Sequence, residues 1–334
     1  MSYRVRDLSL RDHGEREKMT TKRYAVISDV HGNLPAFETV LADARERGVD
    51  GYMIAGDYCL SGPWPDGCIR TLRSLEDAFI IRGNEEQYLE NLIGKDQSGW
   101  TDGQMQISYW NFRNIAPDNL EYMLQLPHTI DTCINGTDIH IAHSSANFIG
   151  DRELQLWGSD KMSKRYEGRE ITREIVREDI LSFIESDEAF AANASALKDG
   201  IYIFGHCHLQ WSYRVPGRDI LFINPGSCGL PLDGIRNSIP YSILSIKDNG
   251  DASVEEIRLP FDMAEYAESI KKTTQYTEAS VWTKVITKEL LTAREHLLFF
   301  LIHTEGYAQR IGDIVRPFSV KTWEDSYKEW VETL

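Results

Sequence analysis

Five short apolar runs in this chain each stop at a residue type that binds metal ions. The last run, Ile201-Tyr202-Ile203-Phe204, leads into Gly205-His206-Cys207-His208. Upstream, similar runs lead into Asp29-Val30-His31-Gly32, Gly56-Asp57, Gly83-Asn84 and His143. In the first half the runs alternate with helical stretches, which implies βαβ units and a parallel sheet covered on both faces. Ligands of such sheets bind in the crevice beyond the carboxyl ends of the strands. Residues far apart in sequence can therefore meet there.

Taken in order, residues 23–28 read as a strand. A helix follows, with Pro35 in its first turn, Gly48 just past its end, and Phe37, Val40, Leu41 and Ala44 on one buried face. Residues 52–55 and 78–81 read as strands, 66–76 and 86–126 as helices. Asn135-Gly136 between residues 129–134 and 137–142 is a hairpin signal, because the pair supplies the two positive φ angles of a type I′ turn. Residues 151–199 return to helix. Pro216-Gly217-Arg218 and Asp248-Asn249-Gly250-Asp251 mark two further hairpins, so the second half reads as hairpin-rich. From residue 261 the chain looks helical. The expected division is a polar extension at residues 1–20, with Met19 a natural start before the first strand. A core at 21–275 carries helical insertions at about 86–127 and 151–199, and a helical extension occupies 276–334.

The composition narrows the function. Asp and Glu outnumber Lys and Arg 52 to 36, a formal net charge of -16. Such a surface repels duplex nucleic acid and anionic membranes, so neither is an expected partner. Bound cations would still let an acidic protein act on phosphates. Cys59, Cys68, Cys133, Cys207 and Cys228 are odd in number and lack C-x-x-C spacing, which suits reduced thiols in the cytoplasm. No stretch approaches the length of a membrane span, and no apolar signal core opens the chain.

The chemistry rests on seven residues. Asp29 and His31 are two apart, as are His206 and His208, and extended backbone would put each pair on one side, with Cys207 facing away. Asp57 can bridge two cations through its two oxygens, Asn84 offers an amide oxygen, and His143 another imidazole. Carboxylate, amide and imidazole together suit two divalent transition-metal ions, manganese first and iron or zinc next, better than calcium or magnesium. Two cations sharing Asp57 and a hydroxide would let that hydroxide attack phosphorus in line. Asn224-Pro225-Gly226-Ser227 reads as a turn that shapes the site floor. Arg82 reads as a salt-bridge residue, and Trp64, Trp157 and Trp211 as packing residues rather than platforms for a base.

The order D-x-H, G-D, G-N, H, G-H-x-H resembles the calcineurin-like metallophosphoesterase superfamily. Asn224-Pro225-Gly226-Ser227, Pro231, Asp233-Gly234 and Tyr241 are similar to its bacterial branch of small phosphodiesterases and diadenosine tetraphosphate hydrolases. The resemblance spans roughly residues 22–275 and implies an α/β fold, a two-sheet mixed β-sandwich flanked by helices. It also implies that Asp29, His31, Asp57 and His208 hold one metal, and Asp57, Asn84, His143 and His206 the other. Catalytic roles fall to Asp57, Asn84, His143 and the residue after Asn84. Here the chain departs from the family, which often carries histidine where this chain has Glu85. A glutamate serves as general acid only with a raised pKa, and its charge would repel an anionic substrate. That favours leaving groups that depart without a proton, such as a nucleotide or polyphosphate. The other reading turns Glu85 to solvent.

The expected function is therefore a binuclear metal-dependent phosphoesterase acting on a small phosphodiester or nucleotide. The rival within enzymes is symmetrical hydrolysis of a dinucleoside polyphosphate. The rival outside them is a non-catalytic scaffold with the same fold, which the complete ligand set opposes. The C-terminal helices are expected to pack on the core; capping the site and forming a homo-oligomer interface are the alternatives.

Overall fold

The computed structural model describes residues 21–333; the extension read at residues 1–20 lies outside the described residues. Strand β1 (Thr21–Ile27) leads through α1 (Leu34–Glu46) to β2 (Gly51–Ile54), and then through α2 (Pro65–Arg73) to β3 (Ala78–Ile80). Each of these strands pairs in parallel with the next. Helix α1 begins where the Asn33 side chain accepts the Ala36 N–H, with proline in its first turn. Helices α3 (Asn84–Glu90), α4 (Gln106–Asn114) and α5 (Pro117–Gln125) form the first insertion. Strands β4 (Thr129–Ile134) and β5 (Thr137–Ala142) then make the Asn-Gly hairpin, with φ of 50° at Asn135 and 78° at Gly136.

The second insertion holds α6 (Ala146–Ile149), α7 (Arg152–Leu156), α8 (Ser159–Arg165), α9 (Arg173–Ser186) and α10 (Glu188–Ala196). It is followed by β6 (Gly200–Ile203), β7 (Gln210–Arg214), β8 (Ile220–Pro225), β9 (Ser238–Lys247) and β10 (Ala252–Pro260). The strands form two mixed five-stranded sheets, ordered β10-β9-β1-β2-β3 and β4-β5-β6-β8-β7. All three hairpins read from the sequence form, β4–β5, β7–β8 and β9–β10, but the second sheet holds more than hairpins. It has a parallel centre, β5-β6-β8, and its hairpins lie at the margins. Strands β6 and β8 are buried along their whole length, as expected of parallel strands covered on both faces. The turn signals beside them concealed this.

Alternate residues of each strand serve different layers. Val26, Met53, Ile141, Ile201, Ile203, Ile223 and Leu244 fill the space between the sheets. Ala25, Ile27, Tyr52 and Ile54 face outward onto α1, α2 and their neighbours. Tyr202, Phe204, Ile220 and Phe222 face outward onto the second insertion, where Trp157, Ile180 and Phe190 pack. The result is a helix–sheet–sheet–helix sandwich.

Helices α11 (Met263–Ile270), α12 (Thr274–Glu278), α13 (Ser280–Thr292), α14 (Leu297–Ile311) and α15 (Val320–Glu332) close the chain. Phe300, Trp323 and Trp330 form a small core with Val281 and Val285. This extension is tied to the rest: the Gly103 N–H donates to Phe318 O at 2.9 Å, and the Gln275 side chain donates to Ser61 O at 2.8 Å. Among the described residues no helix is long and apolar enough to cross a membrane.

Ile203 is fully buried between the sheets, one residue before the strand gives way to Phe204-Gly205-His206. Ile203→Ala should lower unfolding free energy by about 3 kcal/mol, the usual cost of a cavity in a core that cannot collapse. Urea denaturation checks it, and a loss below about 1 kcal/mol would contradict a tightly packed inter-sheet layer.

Candidate metal centre

The strand ends deliver the seven residues through loops of unusual backbone. Asp29 and His31 follow β1 with φ of 55° and 49°, Asp57 follows β2 with 58°, and His206 and His208 follow β6 with 71° and 60°. The extended-backbone argument for the two D-x-H and H-x-H pairs therefore fails. These residues occupy the left-handed region, which costs side-chain-bearing residues roughly 1 kcal/mol or more each. The loops hold one another in place. Asp29 N–H donates to Gly56 O at 3.0 Å, His31 N–H to Asp57 O at 3.0 Å, and Gly205 N–H to His143 O at 2.9 Å. A Cβ at Gly83 would overlap the Asp57 carboxylate, and one at Gly205 would overlap Ser28 Oγ and the Asp29 carboxylate. Both positions require glycine.

Two groups of possible ligands result. Asp29, His31 and His208 converge in one, and Asp57, His143 and His206 in the other. His206 and His208 thus serve opposite groups, although only Cys207 separates them. Asn84 joins the second group as the first residue of α3, its Oδ1 lying 3.0 Å from His143 Nε2. Asp29, His31, Asp57, His143 and His208 are all buried.

The hydrogen bonds behind the ligands fix their tautomers. His143 Nδ1–H donates to Ala55 O at 2.7 Å and His208 Nδ1–H to Leu230 O at 2.8 Å, since a carbonyl can only accept. Each Nε2 therefore turns inward, as metal-binding histidines require. His143 Nε2 there meets two oxygens, Asn84 Oδ1 and, at 3.2 Å, Asp57 Oδ2. Either a proton or a cation must sit among them. His208 Nε2 meets His31 Nε2 at 2.9 Å, and Asp29 Oδ1 lies 3.4 Å and 3.7 Å from the two.

Charge follows from this crowding. Burial disfavours the ionised Asp29 and Asp57 carboxyls, yet the surrounding histidines hold both below their ordinary range. Burial opposes a charge on His143 too, but Asp57 and Asp29 push it up to about 10. His206 is pushed down by burial and by His143.

Glu85 does not turn to solvent. It is buried, and its Oε2 lies 2.9 Å from His31 Nδ1. Burial, Asp57 and Glu86 push its carboxyl well above the usual range. A proton shared by this pair can sit on Glu85, with His31 Nε2–H donating to His208. If that proton passes to His31 Nδ1 while the Nε2 proton is lost to solvent, both inward Nε2 atoms become free lone pairs. The donor set thus fits divalent cations, with protons holding their place.

Two buried glutamates escaped sequence reasoning. Glu86 accepts the N–H groups of Gly83 at 2.7 Å, Tyr58 at 2.7 Å and Asp57 at 3.2 Å, and so clamps the Asp57 loop. Its signal was available, because a glutamate three residues after a helix cap forms a capping box. Glu153 in α7 accepts from Trp211 Nε1 and Asn224 Nδ2, each at 2.8 Å, and from Cys207 Sγ at 2.6 Å. Nothing local marks it. Cys207 does face away from the histidines beside it, and Trp157 and Trp211 are packing residues. Asn224 and Ser227 form the floor turn, with Ser227 Oγ donating to Asp29 O at 2.7 Å. Arg82 pairs with Glu90 at 3.0 Å.

The chain is similar to known proteins in sequence and fold. The family described as calcineurin-like phosphoesterase matches residues 22–221. The uncharacterised protein MJ0912 of Methanocaldococcus jannaschii is 26% identical over 268 residues, 76% of this chain and 94% of its own length. A metallophosphoesterase from Sphaerobacter thermophilus superposes with a TM-score of 0.54 at 21% identity, covering 82% of this chain and 100% of its own. The hypothetical protein PH1004 from Pyrococcus horikoshii OT3 gives 0.56 at 16% identity, over 82% and 99%. Both are spanned almost whole, so nearly a fifth of this chain lies outside the likeness.

Metal uptake should release protons. Against its burial, His143 is pushed up to about 10 by Asp57 and Asp29, so at pH 7 it carries a proton that a cation must displace. Affinity should therefore rise with pH through the neutral range. Calorimetric titration of metal into chelator-treated protein at pH 7 should give enthalpies that depend on buffer ionisation heat. Identical enthalpies in phosphate-free buffers of different ionisation heat would contradict this.

Proposed function

The chain belongs to the calcineurin-like phosphoesterase family, and we propose that it uses two divalent transition-metal ions to hydrolyse a small soluble phosphodiester or nucleotide. It is a metal-dependent hydrolase of phosphoric esters; the two-ion mechanism and the substrate class are the proposal. The observation that carries it is the pair of convergent donor groups joined by Asp57. That carboxylate lies within the His143–His206 group and also within reach of His31 and Glu85. Asp29, His31, Asp57 and His208 would hold one ion, and Asp57, Asn84, His143 and His206 the other. Imidazole donors favour manganese, iron or zinc. Such a pair of ions supplies a nucleophilic water at neutral pH and neutralises phosphoryl oxygens.

The protein's part is to place these donors and keep them fixed. Asn84 lies at the start of α3, whose Glu85 N–H donates to Asp57 Oδ1 at 3.0 Å, so the amide and the carboxylate are fixed to one another. Glu85, engaged with His31, orients an imidazole and is not free to protonate a leaving group. This supports substrates whose leaving group needs no proton, with a nucleotide or polyphosphate foremost. The intact donor set supports turnover over a scaffold role. The free thiols of Cys59, Cys68, Cys133, Cys207 and Cys228 suit the cytoplasm.

Asp57→Asn should reduce manganese-dependent cleavage of an aryl phosphodiester to background and lower bound metal from about two ions per chain. Full activity with unchanged elemental analysis would remove Asp57 from the bridge. Glu85→Gln should weaken metal binding about 10- to 100-fold, the range for a residue that orients a ligand. At saturating metal its pH–rate profile should keep its shape. Loss of the alkaline limb alone, with metal affinity unchanged, would mark Glu85 as a general acid instead.

A further inference from the structure

The chain carries a formal charge of -16, yet one cleft is lined by three arginines. It lies where the turn after α8, the loop between β8 and β9, and the α13–α14 corner meet. Arg169, Arg236 and Arg294 line it with Thr292, His296 and a single acid, Glu170, around a volume of about 390 Å³. That size lies within the range of small-ligand pockets, about 300–1,000 Å³.

These arginines differ from many others in the molecule. Arg47, Arg152, Arg165 and Arg258 sit on carboxylates. None of the three in the cleft makes an ion pair among the described residues. Their guanidinium groups donate one hydrogen bond there, from Arg294 to the backbone oxygen of Arg169 at 2.6 Å. Burial and then Arg236 push the Arg294 guanidinium below its ordinary value, against the opposing charge of Glu167. Burial, Lys288 and Arg294 push His296 down to about 4. Three guanidinium groups thus line the cleft against one lining carboxylate, Glu170, and none of the three is ion-paired with it.

The cleft is also built rather than incidental. Ala293 turns the corner at φ 53°. Gly234 N–H donates to Ala293 O at 2.7 Å, which ties the corner to the loop that carries Arg236. Buried Glu289 accepts the N–H groups of His296 and Leu297, both at 2.6 Å, and Glu295 N–H donates to Ser163 Oγ at 2.8 Å. The backbone of the corner and of the adjoining loop is held before any ligand arrives, which lowers the part of the ordering cost that falls on the main chain.

We propose that this cleft is a second anion site, separate from the metal centre, that binds the phosphate chain of a small soluble ligand. Several guanidinium forks match phosphate oxygens in geometry, and more than one negative charge is needed to offset them. The same loop runs on to the metal centre, where Leu230 O accepts from His208 Nδ1.

The test uses the full chain freed of metal by chelator, so it is independent of the hydrolytic reading. Tripolyphosphate and a nucleoside triphosphate are titrated separately and followed by calorimetry. Saturable binding is expected. Arg236→Glu, at an exposed and unpaired position, should weaken it about tenfold or more, as loss of a charge-assisted contact does. Arg45→Glu, an equal charge change on exposed α1 surface, should leave affinity within about twofold because distant exposed charges are screened. Absence of saturable binding, or equal weakening by the two variants, would overturn the proposal. If binding holds, equal affinities identify the phosphate chain as the whole ligand, and tighter nucleotide binding adds the base; both support the site.

Discussion

Too many acceptors meet in one buried place. Asn84 Oδ1 and Asp57 Oδ2 converge on His143 Nε2, and the inward nitrogens of His31 and His208 converge beside Asp29. Without added positive charge such a cluster would be unstable, because buried lone pairs and carboxylates have lost water and gained no donor. Protons satisfy it in part, which is why His143 and Glu85 are both pushed up. Cations would satisfy it fully and reverse those shifts.

Holding that cluster explains much of the surrounding structure. Five of its members sit at positive φ, a strain that persists only where neighbours over-determine the backbone. The neighbours are identifiable. Glu86 grips the Asp57 loop by three N–H groups. Ser227 and the glycines at 83 and 205 let the Asp29, Asp57 and His206 loops approach within contact. Glu153 anchors the floor turn and the back of Cys207 from the opposite layer. Behind them, the inter-sheet residues Val26, Met53 and Ile203 set the ends of β1, β2 and β6 at one edge of the sandwich.

Much of this was legible in the sequence, for specific reasons. Apolar runs followed by Asp, Asn or His marked strand ends, and α1 announced itself through Pro35, Gly48 and a 3.6-residue stripe. The Asn135-Gly136 hairpin followed from turn chemistry alone. What was hidden depended on partners distant in sequence. The parallel centre β5-β6-β8 was obscured because β6 and β8 carry the same apolar signal as any buried strand, while flanking turns suggested hairpins. The left-handed geometry of Asp29 and His206 is imposed by loops that meet only in the folded chain. The orientation of Glu85 depends on His31, 54 residues away, and that of Glu153 on Trp211 and Asn224.

The C-terminal helices are better understood as part of the site's support than as an appendage. Loop residues 230–236 face the centre at one end, where Leu230 receives the His208 hydrogen bond, and the α13–α14 corner at the other, where Gly234 donates to Ala293. A shift of that corner would therefore bear on His208 through a few residues of tightly bonded backbone. Coupling of this kind needs two arrangements of the loop with different ligand affinities. The cleft lies beside that corner, with Arg236 on the loop and Arg294 on the corner, so both of its walls meet at the Gly234–Ala293 anchor. Residues 230–236 thus link the cleft by continuous backbone to the carbonyl that receives the His208 hydrogen bond, so the extension is fixed to the same loop that orients this imidazole.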